Sequence, residues 1–395
     1  MGTFVVAPTS AAERERSRYL SLFAEAERLE WPAEAATWPR LWDVDPHNFA
    51  ADDRWEIYAV SDVHVDFKEN ASWADHEFAV PVQSRGTPGE ERRRSRRKKR
   101  CLICAGDVAT KVSTVRATLA KMADAYDVVF YVFGNHEAWY VGRRGAHEPE
   151  AYAEVPAERS SPAKILAVYR VCRELGVRTT PLVLSKAVAV CPLASWYREA
   201  LSSAPSPQEA GFDLGCAWPF GQTSNFDGVV ADFFVDSNTR RVDHAPPLSS
   251  SSSTATTPPA EESSSSPQSS APPPGERHTT MTVVTCSHFL PRHDCYGGFR
   301  HLAKVMADPA LDRQLRAVGS TLHVCGHSHL DFDVVRGGVR YVQAALGYPH
   351  ERRASFFTSE TYPKKVLDAK VVVFPGDEAA EAPRPRPGDA APKKE

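Results

Sequence analysis

Side chains that commonly bind metal ions occur in five short clusters along the chain. The clusters are Ser61-Asp62-Val63-His64, Gly106-Asp107, Gly134-Asn135-His136-Glu137, Ser287-His288 and Gly326-His327-Ser328-His329. Imidazole and carboxylate groups suit divalent ions such as zinc, manganese and iron rather than soft thiolate chemistry. Asp62 and His64, like His327 and His329, are two residues apart, so both members of a pair leaving a strand can point to the same side. These residue types and spacings predict a metal site.

Each cluster directly follows a short apolar run of strand character. The five runs cover residues 55–60, 101–105, 127–133, 282–286 and 321–325. In an α/β sheet, ligands bind at the carboxyl ends of the strands, so we expect the five clusters to converge on one place. Two more strand-like runs and several intervening helical patterns predict an α/β fold. The clearest helix covers 162–175, with Ser161 as its cap and Gly176 as its stop.

Each cluster taken alone also has a plainer interpretation. A Gly-Asp pair is usually a turn. The cluster that begins at Gly134 could be the start of a helix, with Asn135 as the cap and Glu137 in the first turn. Five clusters in this order, each placed after a strand, favour a metal site over coincidence.

In order, the five clusters resemble the signature motifs of the calcineurin-like metallophosphoesterase superfamily, over residues 57–346. In that superfamily two packed mixed β-sheets flanked by helices, a four-layer αββα sandwich, carry a two-metal site. The resemblance therefore implies an α/β fold of this kind. One departure from the superfamily is an arginine-rich segment between the first two clusters, which leaves all candidate ligands in place.

The resemblance also implies a role for each polar residue of the clusters. The first metal ion would be held by Asp62, His64 and His329, the second by Asn135, His288 and His327, and both would be bridged by Asp107. His136 would lie just outside the ions as the acid that assists the leaving group.

The function that the resemblance implies is that of a hydrolase, a metal-dependent phosphoesterase. It would cleave a phosphate mono- or diester by attack of a metal-bridging hydroxide. Its cofactors would be two divalent or trivalent metal ions, manganese, iron or zinc, and its partner a small-molecule or macromolecular phosphoester.

Two other functions compete with this interpretation. The run from His327 to Asp331 nearly matches the His-x-His-x-Asp-His motif of metallo-β-lactamase-type hydrolases, but Phe332 occupies the final histidine position. That alternative leaves the other four clusters unexplained. A catalytically inactive scaffold of the metallophosphoesterase fold is the second alternative, although no candidate ligand and no catalytic histidine is missing.

Substrate selection is expected to depend on residues near the clusters. Trp139 and Trp196 could stack on a substrate or pack at the margin of the core, and we favour the core. Arg198 and Arg292 are candidates for binding the phosphate group of a substrate.

The composition predicts one phosphoesterase domain at residues 55–374, after an N-terminal extension at 1–54. Within the domain we expect a basic insertion at 83–100 and a disordered Ser/Pro-rich insertion at 243–277. The tail at 377–395 is expected to be disordered as well. The Ser/Pro-rich insertion is compatible with one domain, because the cost of closing a loop grows only slowly with its length.

Charge and cysteine usage indicate where the protein works. The net charge of −3 argues against general binding to nucleic acid, apart from a basic loop at 92–100 that could contact nucleic acid or act as a nuclear-import signal. The eight cysteines are scattered, which predicts free thiols in a reducing compartment. No apolar window is long enough to span a bilayer. We therefore expect a cytoplasmic protein without a membrane partner, with nuclear import through the basic loop as the alternative.

Overall fold

The computed structural model describes residues 54–79, 98–139, 160–185, 187–198, 213, 215–218, 228–242, 281–298, 300–353 and 362–369. The predicted Ser/Pro-rich insertion and the predicted tail lie outside these residues. So do residues 1–53 of the N-terminal extension and residues 83–97 of the basic insertion. The predictions for those segments stay predictions.

Strands and helices alternate through much of the described chain. In chain order they are β1 (Trp55–Val60), α1 (Lys68–Glu77), β2 (Lys99–Cys104), α2 (Val112–Ala125), β3 (Val128–Tyr131), α3 (Asn135–Ala138), α4 (Ser161–Glu174), β4 (Leu182–Ser185), β5 (Val188–Pro192), α5 (Val229–Val242), β6 (Thr282–Cys286), α6 (Pro309–Ala317), β7 (Ser320–Cys325), β8 (Phe332–Arg336), β9 (Val339–Gln343), α7 (Pro349–Arg353) and β10 (Lys364–Ala369). Two short 3₁₀ helices lie at His293–Cys295 and Arg300–Val305.

The strands form two mixed sheets. The first has the order β10-β1-β2-β3, in which β1, β2 and β3 are parallel and β10 is antiparallel. The second has the order β4-β5-β6-β7-β9-β8, with four parallel strands between two antiparallel edge strands. The parallel strands put the carboxyl ends of β1, β2 and β3, and likewise those of β6 and β7, at one edge of their sheet.

The two sheets pack face to face because their central strands are apolar on both sides. In β2, Cys101 and Ile103 face the other sheet, whereas Leu102 and Cys104 face the opposite way. This alternation follows from the two-residue period of a strand. Strands buried on both faces are expected to be continuous apolar runs, which is how residues 101–104 of β2 read in the sequence.

Helices cover the outer faces of both sheets. Leu119 of α2 and Ile165 of α4 belong to the same buried cluster as Leu102 of the first sheet. Leu311 and Leu315 of α6 pack with buried residues of the second sheet. The predicted class, an α/β fold with two mixed sheets flanked by helices, is confirmed.

Some local predictions differ from the structure. The helix expected at 162–175 begins one residue earlier, and its cap is Ser160 rather than Ser161, because the Ser160 hydroxyl accepts a hydrogen bond from the Ala163 N–H at 3.3 Å. Strand β2 begins at Lys99, so the last two residues of the basic run belong to a strand. Each of the eight cysteines is a free thiol, as expected. None of the described helices is long and apolar enough to cross a membrane.

Candidate metal centre

The five polar clusters meet where β1, β2, β3, β6 and β7 end. Two groups of buried side chains have ligand atoms within 4.8 Å of one another; they are Asp62, His64, Asp107 and His329 in the first group, and Asp107, His288 and His327 in the second. The Asn135 side-chain oxygen joins the second group, at 3.1 Å from His288 Nε2 and 3.0 Å from His327 Nδ1. The structure therefore brings all seven predicted ligands together.

In the first group two imidazole nitrogens face two carboxylates. The Nε2 atoms of His64 and His329 lie 3.0 Å apart. His64 Nε2 is 3.8 Å from Asp107 Oδ2, and His329 Nε2 is 3.4 Å from Asp62 Oδ1. Two nitrogens and two oxygens at these separations form a donor set that suits zinc, manganese or iron.

In the second group backbone carbonyls fix which imidazole nitrogen faces the site. His288 donates from Nδ1 to the Ala105 carbonyl at 2.8 Å, and His327 donates from Nε2 to the Val305 carbonyl at 2.9 Å. The nitrogen that does not carry this proton points toward Asn135 in each case. Hydrogen bonds of this kind orient histidine ligands and hold their lone pairs ready for a metal.

Asp107 lies between the two groups and belongs to both. Its Oδ2 is the oxygen near His64, and its Oδ1 is 3.6 Å from His288 Nε2. One carboxylate with an oxygen on each side is the arrangement that a bridge between two ions requires.

The backbone at this edge has an unusual conformation. The five candidate ligands with a positive φ, between 45° and 73°, are Asp62, His64, Asp107, His327 and His329. Such left-handed residues turn the chain sharply after a strand ends. The sequence argument placed each pair on one face of a strand, but the pairs are brought together by these turns.

Two glycines let the loops approach one another closely. A Cβ atom on Gly134 would overlap the Asp107 carboxylate, and one on Gly326 would lie 2.8 Å from the Ala105 carbonyl oxygen. Any larger residue at either position would push two ligand loops apart. Glycine permits this close approach because it has no Cβ atom.

Burial keeps several imidazoles neutral. It lowers the pKa of His64, His288 and His327, because the charged form loses its hydration. A neutral imidazole is the form that binds a metal.

His329 differs from the other three histidines. Burial acts to lower its pKa, but the Asp62 and Glu351 carboxylates raise it to about 10. Glu351 Oε2 lies 2.7 Å from His329 Nδ1, the ring nitrogen that faces away from Asp62. Glu351 therefore acts as the outer carboxylate that orients a histidine ligand. Its position in α7 carried no sequence signal.

The buried carboxylates repel one another. Burial raises the pKa of Asp107 well above its usual range, and the neighbouring charges of Glu137 and Asp62 raise it further. Bound cations would offset this repulsion. The residues therefore fit a pair of metal ions, on their donor atoms and on their charge.

The predicted acid, His136, lies at the margin of the ligands. Its Nε2 is 3.8 Å from Asp107 Oδ2 and 3.2 Å from the Tyr348 hydroxyl. Its ring stacks on Trp139, with centroids 3.7 Å apart. His136 follows Asn135 in the short helix α3, so this cluster is both a helix start, with Glu137 in the first turn, and part of the candidate site. The predicted cap was wrong, because Gly134 is the cap and Asn135 is already the first residue of the helix.

Asp213 is a site residue that the sequence argument missed. It is buried and accepts hydrogen bonds from Asn135 Nδ2 at 3.0 Å and from Trp139 Nε1 at 2.5 Å. The first bond turns the Asn135 oxygen toward His288, and the second holds the ring on which His136 stacks. Asp213 lies 78 residues from Asn135, in no strand or helix, so no local pattern marks it.

The other residues considered for substrate contact have structural partners. Trp196 is buried in the core, as we favoured, whereas Trp139 is half-buried against His136. Arg198 is paired with Asp308 and Asp232. Arg292 is likewise paired with carboxylates, those of Asp294 and Asp312.

Comparison with known proteins supports the fold. No protein-family model and no curated protein matches the chain. The crystal structure of phosphopantetheinyl hydrolase (PptH) from Mycobacterium tuberculosis is similar over 80% of this chain and 97% of that chain, with 18% identity and a TM-score of 0.53. The chain has the metallophosphoesterase fold. A second solved structure matches over 73% of this chain and 90% of that chain, with 8% identity and a TM-score of 0.37.

Proposed function

We propose that the protein is a two-metal phosphoesterase that hydrolyses a phosphate mono- or diester. The observation that carries the proposal is the convergence of seven buried ligand side chains in two groups that share Asp107. The metallophosphoesterase fold and the place of the site at the strand ends support it. The proposed ions are manganese, iron or zinc.

The surroundings of the ligands orient them for binding two ions. When bound, two such ions lower the pKa of a shared water and offset the charge of the phosphate. Asp107 spans both groups, and the carbonyls of Ala105 and Val305 keep the lone pairs of His288 and His327 directed inward. Glu351 holds His329 in the same way from outside.

His136 is the proposed acid for the leaving group. It is near Asp107 without belonging to either ligand group, so its Nε2 can carry a proton to the leaving oxygen. Acid assistance of this kind typically contributes about 10²–10⁴-fold to a rate. We expect His136→Ala to keep its metals and lose turnover by such a factor, and full activity with metals bound would contradict the role.

The decisive experiment is metal-dependent hydrolysis. The protein is stripped of metal, refilled with Mn²⁺, and assayed with p-nitrophenyl phosphate and bis-p-nitrophenyl phosphate. Asp107→Asn should abolish turnover, whereas Asp333→Asn, which changes a surface carboxylate paired with Arg340, should not. The preferred ester separates a monoesterase from a diesterase. A phosphopantetheinyl ester belongs in the panel because PptH is a phosphopantetheinyl hydrolase.

The inactive scaffold is the alternative that this experiment must exclude. It predicts two bound metals without turnover of any ester in the panel. A protein that binds no metal at all would overturn the phosphoesterase and leave the scaffold. The free cysteines are consistent with a reducing compartment, and we propose the cytoplasm as the location.

A further inference from the structure

Tyr348 lies beside the proposed acid but belongs to neither ligand group. The loop after β9 brings it there, because the Leu346 N–H donates to the Ser61 carbonyl and the Gly347 N–H to the Asp62 carbonyl, both at 2.9 Å. The Tyr348 hydroxyl is 3.2 Å from His136 Nε2. Its ring centroid is 4.5 Å from that of His64. Tyr348 therefore lies over the ligands, on the side where His136 would meet a leaving group.

Phe67 extends this aromatic surface outward. Its ring centroid is 5.2 Å from that of Tyr348, yet 40% of Phe67 is exposed. The Phe67 N–H donates to the His64 carbonyl at 3.0 Å, and the Phe67 carbonyl accepts from Ala71 at the start of α1. Both bonds fix its backbone, so it is held at the surface by the ligand loop on one side and the helix on the other.

Exposure of a large apolar side chain is rare in the part of the chain that the structure describes. Phe67 shares it only with Val335, which is 63% exposed. Val335 lies in the edge strand β8, whereas Phe67 adjoins the candidate metal centre. A single exposed apolar residue needs no explanation in general. The contact of this one with Tyr348 connects it to the site.

Arg352, a charged residue near this surface, is engaged with the loop and with α1. Arg352 donates to the carbonyls of Leu346 and Gly347, at 2.9 and 2.8 Å, and to the Asn70 side chain. His350 adds a further ring, stacked on Tyr348 with centroids 5.5 Å apart. A substrate in contact with this surface would meet aromatic rings.

We propose that Phe67 and Tyr348 form a leaving-group subsite that takes an alcohol with an aromatic ring. The inference rests on the proposed function, because His136 defines the leaving-group side only in a phosphoesterase. An oxygen that accepts a proton from His136 must lie near the Tyr348 hydroxyl. The rest of the alcohol then extends along the Tyr348 and Phe67 rings, where offset or edge-to-face ring contacts form.

The test compares an aromatic ester with one that has no ring. With metal-loaded protein, Phe67→Ala should raise KM for 2-naphthyl phosphate roughly three- to tenfold, the size of an aromatic pair contact. KM for methyl phosphate should stay within about twofold, because methanol is too small to reach Phe67. Phe67→Trp, which keeps a ring, should preserve the preference. Val335→Ala is the matched control, and both KM values should be unchanged in it.

A binding measurement keeps the inference testable without turnover. Calorimetry on the metal-loaded protein compares benzylphosphonate with methylphosphonate. The wild type should bind benzylphosphonate more tightly, and Phe67→Ala should lose that preference while Val335→Ala keeps it. Equal effects of Phe67→Ala on both ligands, or no effect, would overturn the subsite. If the wild type prefers benzylphosphonate through Phe67 but shows no metal-dependent turnover, the result counts against the proposed function and not against the subsite.

Discussion

Glu137 carries a buried carboxylate that joins two ligand loops. Its two oxygens accept hydrogen bonds from four backbone N–H groups; Oε1 accepts from Val108 at 2.7 Å and Ala109 at 3.3 Å, and Oε2 from Asp107 at 3.0 Å and Gly134 at 2.7 Å. The loops at Gly106-Asp107 and at Gly134-Asn135 are therefore held by one side chain. We predict that Glu137→Gln weakens the attachment of both loops and lowers the free energy of unfolding.

The magnitude follows from the hydrogen bonds. Glutamine has the same shape, but its amide nitrogen accepts no hydrogen bond, so two of the four N–H groups would face a donor. Each hydrogen bond to a charged group contributes about 1.5–3 kcal/mol. Losing two gives about 3–6 kcal/mol of destabilisation, a large part of the roughly 5–15 kcal/mol by which a domain is stable.

The assay is urea unfolding of the metal-free protein, followed by tryptophan fluorescence. Metal-free protein is used because bound ions would add their own stabilisation. Glu174→Gln is the matched control, since Glu174 is an exposed helix residue paired with Arg116 and should change stability by less than about 1 kcal/mol. A Glu137→Gln variant within about 1 kcal/mol of the wild type would refute the reasoning.

Three further predictions concern other buried polar groups. His323 is buried between Thr285 and Ser287, and burial lowers its pKa to about 3. The unfolded chain therefore binds this proton below pH 6.5 while the folded protein does not, so the free energy of unfolding falls by about 1.4 kcal/mol per pH unit as the pH drops from 6.5 toward 3. His323→Gln should remove this contribution to the pH dependence, which is measured by urea unfolding at pH 7 and pH 5. Asp213→Ala should weaken metal binding by about 10–100-fold in equilibrium dialysis, because Asn135 loses its outer partner, and an unchanged affinity would show that Asp213 does not orient the site. Arg198→Met should cost about 1–3 kcal/mol in unfolding free energy, because the buried Asp308 carboxylate loses its charged partner and keeps only the Ala310 N–H. A loss of turnover per folded molecule would point instead to phosphate contact.

The sequence was sufficient to predict the elements that carry the ligands. β1, β2, β6 and β7 lie inside their sheets and β3 lies at the edge of the first sheet. Most residues of all five strands are buried, so each reads as a mostly apolar run. The polar residue that ends each run is conspicuous against that background. The fold class and the convergence of the clusters could therefore be inferred from the sequence alone.

The edges and the outer parts of the site could not be predicted in this way. Strand β8 is mostly exposed and β10 begins with two lysines, so neither shows the apolar pattern of a strand. Asp213 and Tyr348 contact the site from irregular segments, and Tyr348 is 212 residues from His136. Their positions depend on the packing of the whole chain. Sequence patterns report local periodicity and do not encode such contacts.

The left-handed backbone of five candidate ligands lowers the stability of the metal-free protein at the positions that bind metal. Among the described residues, Asp213 is the other non-glycine residue with a positive φ. Each such conformation costs on the order of 1–3 kcal/mol, and glycine would adopt it without that cost. A laboratory screen that rewards heat resistance in the metal-free protein would therefore favour glycine at these positions. Selection for stability of the metal-free protein would therefore remove metal ligands.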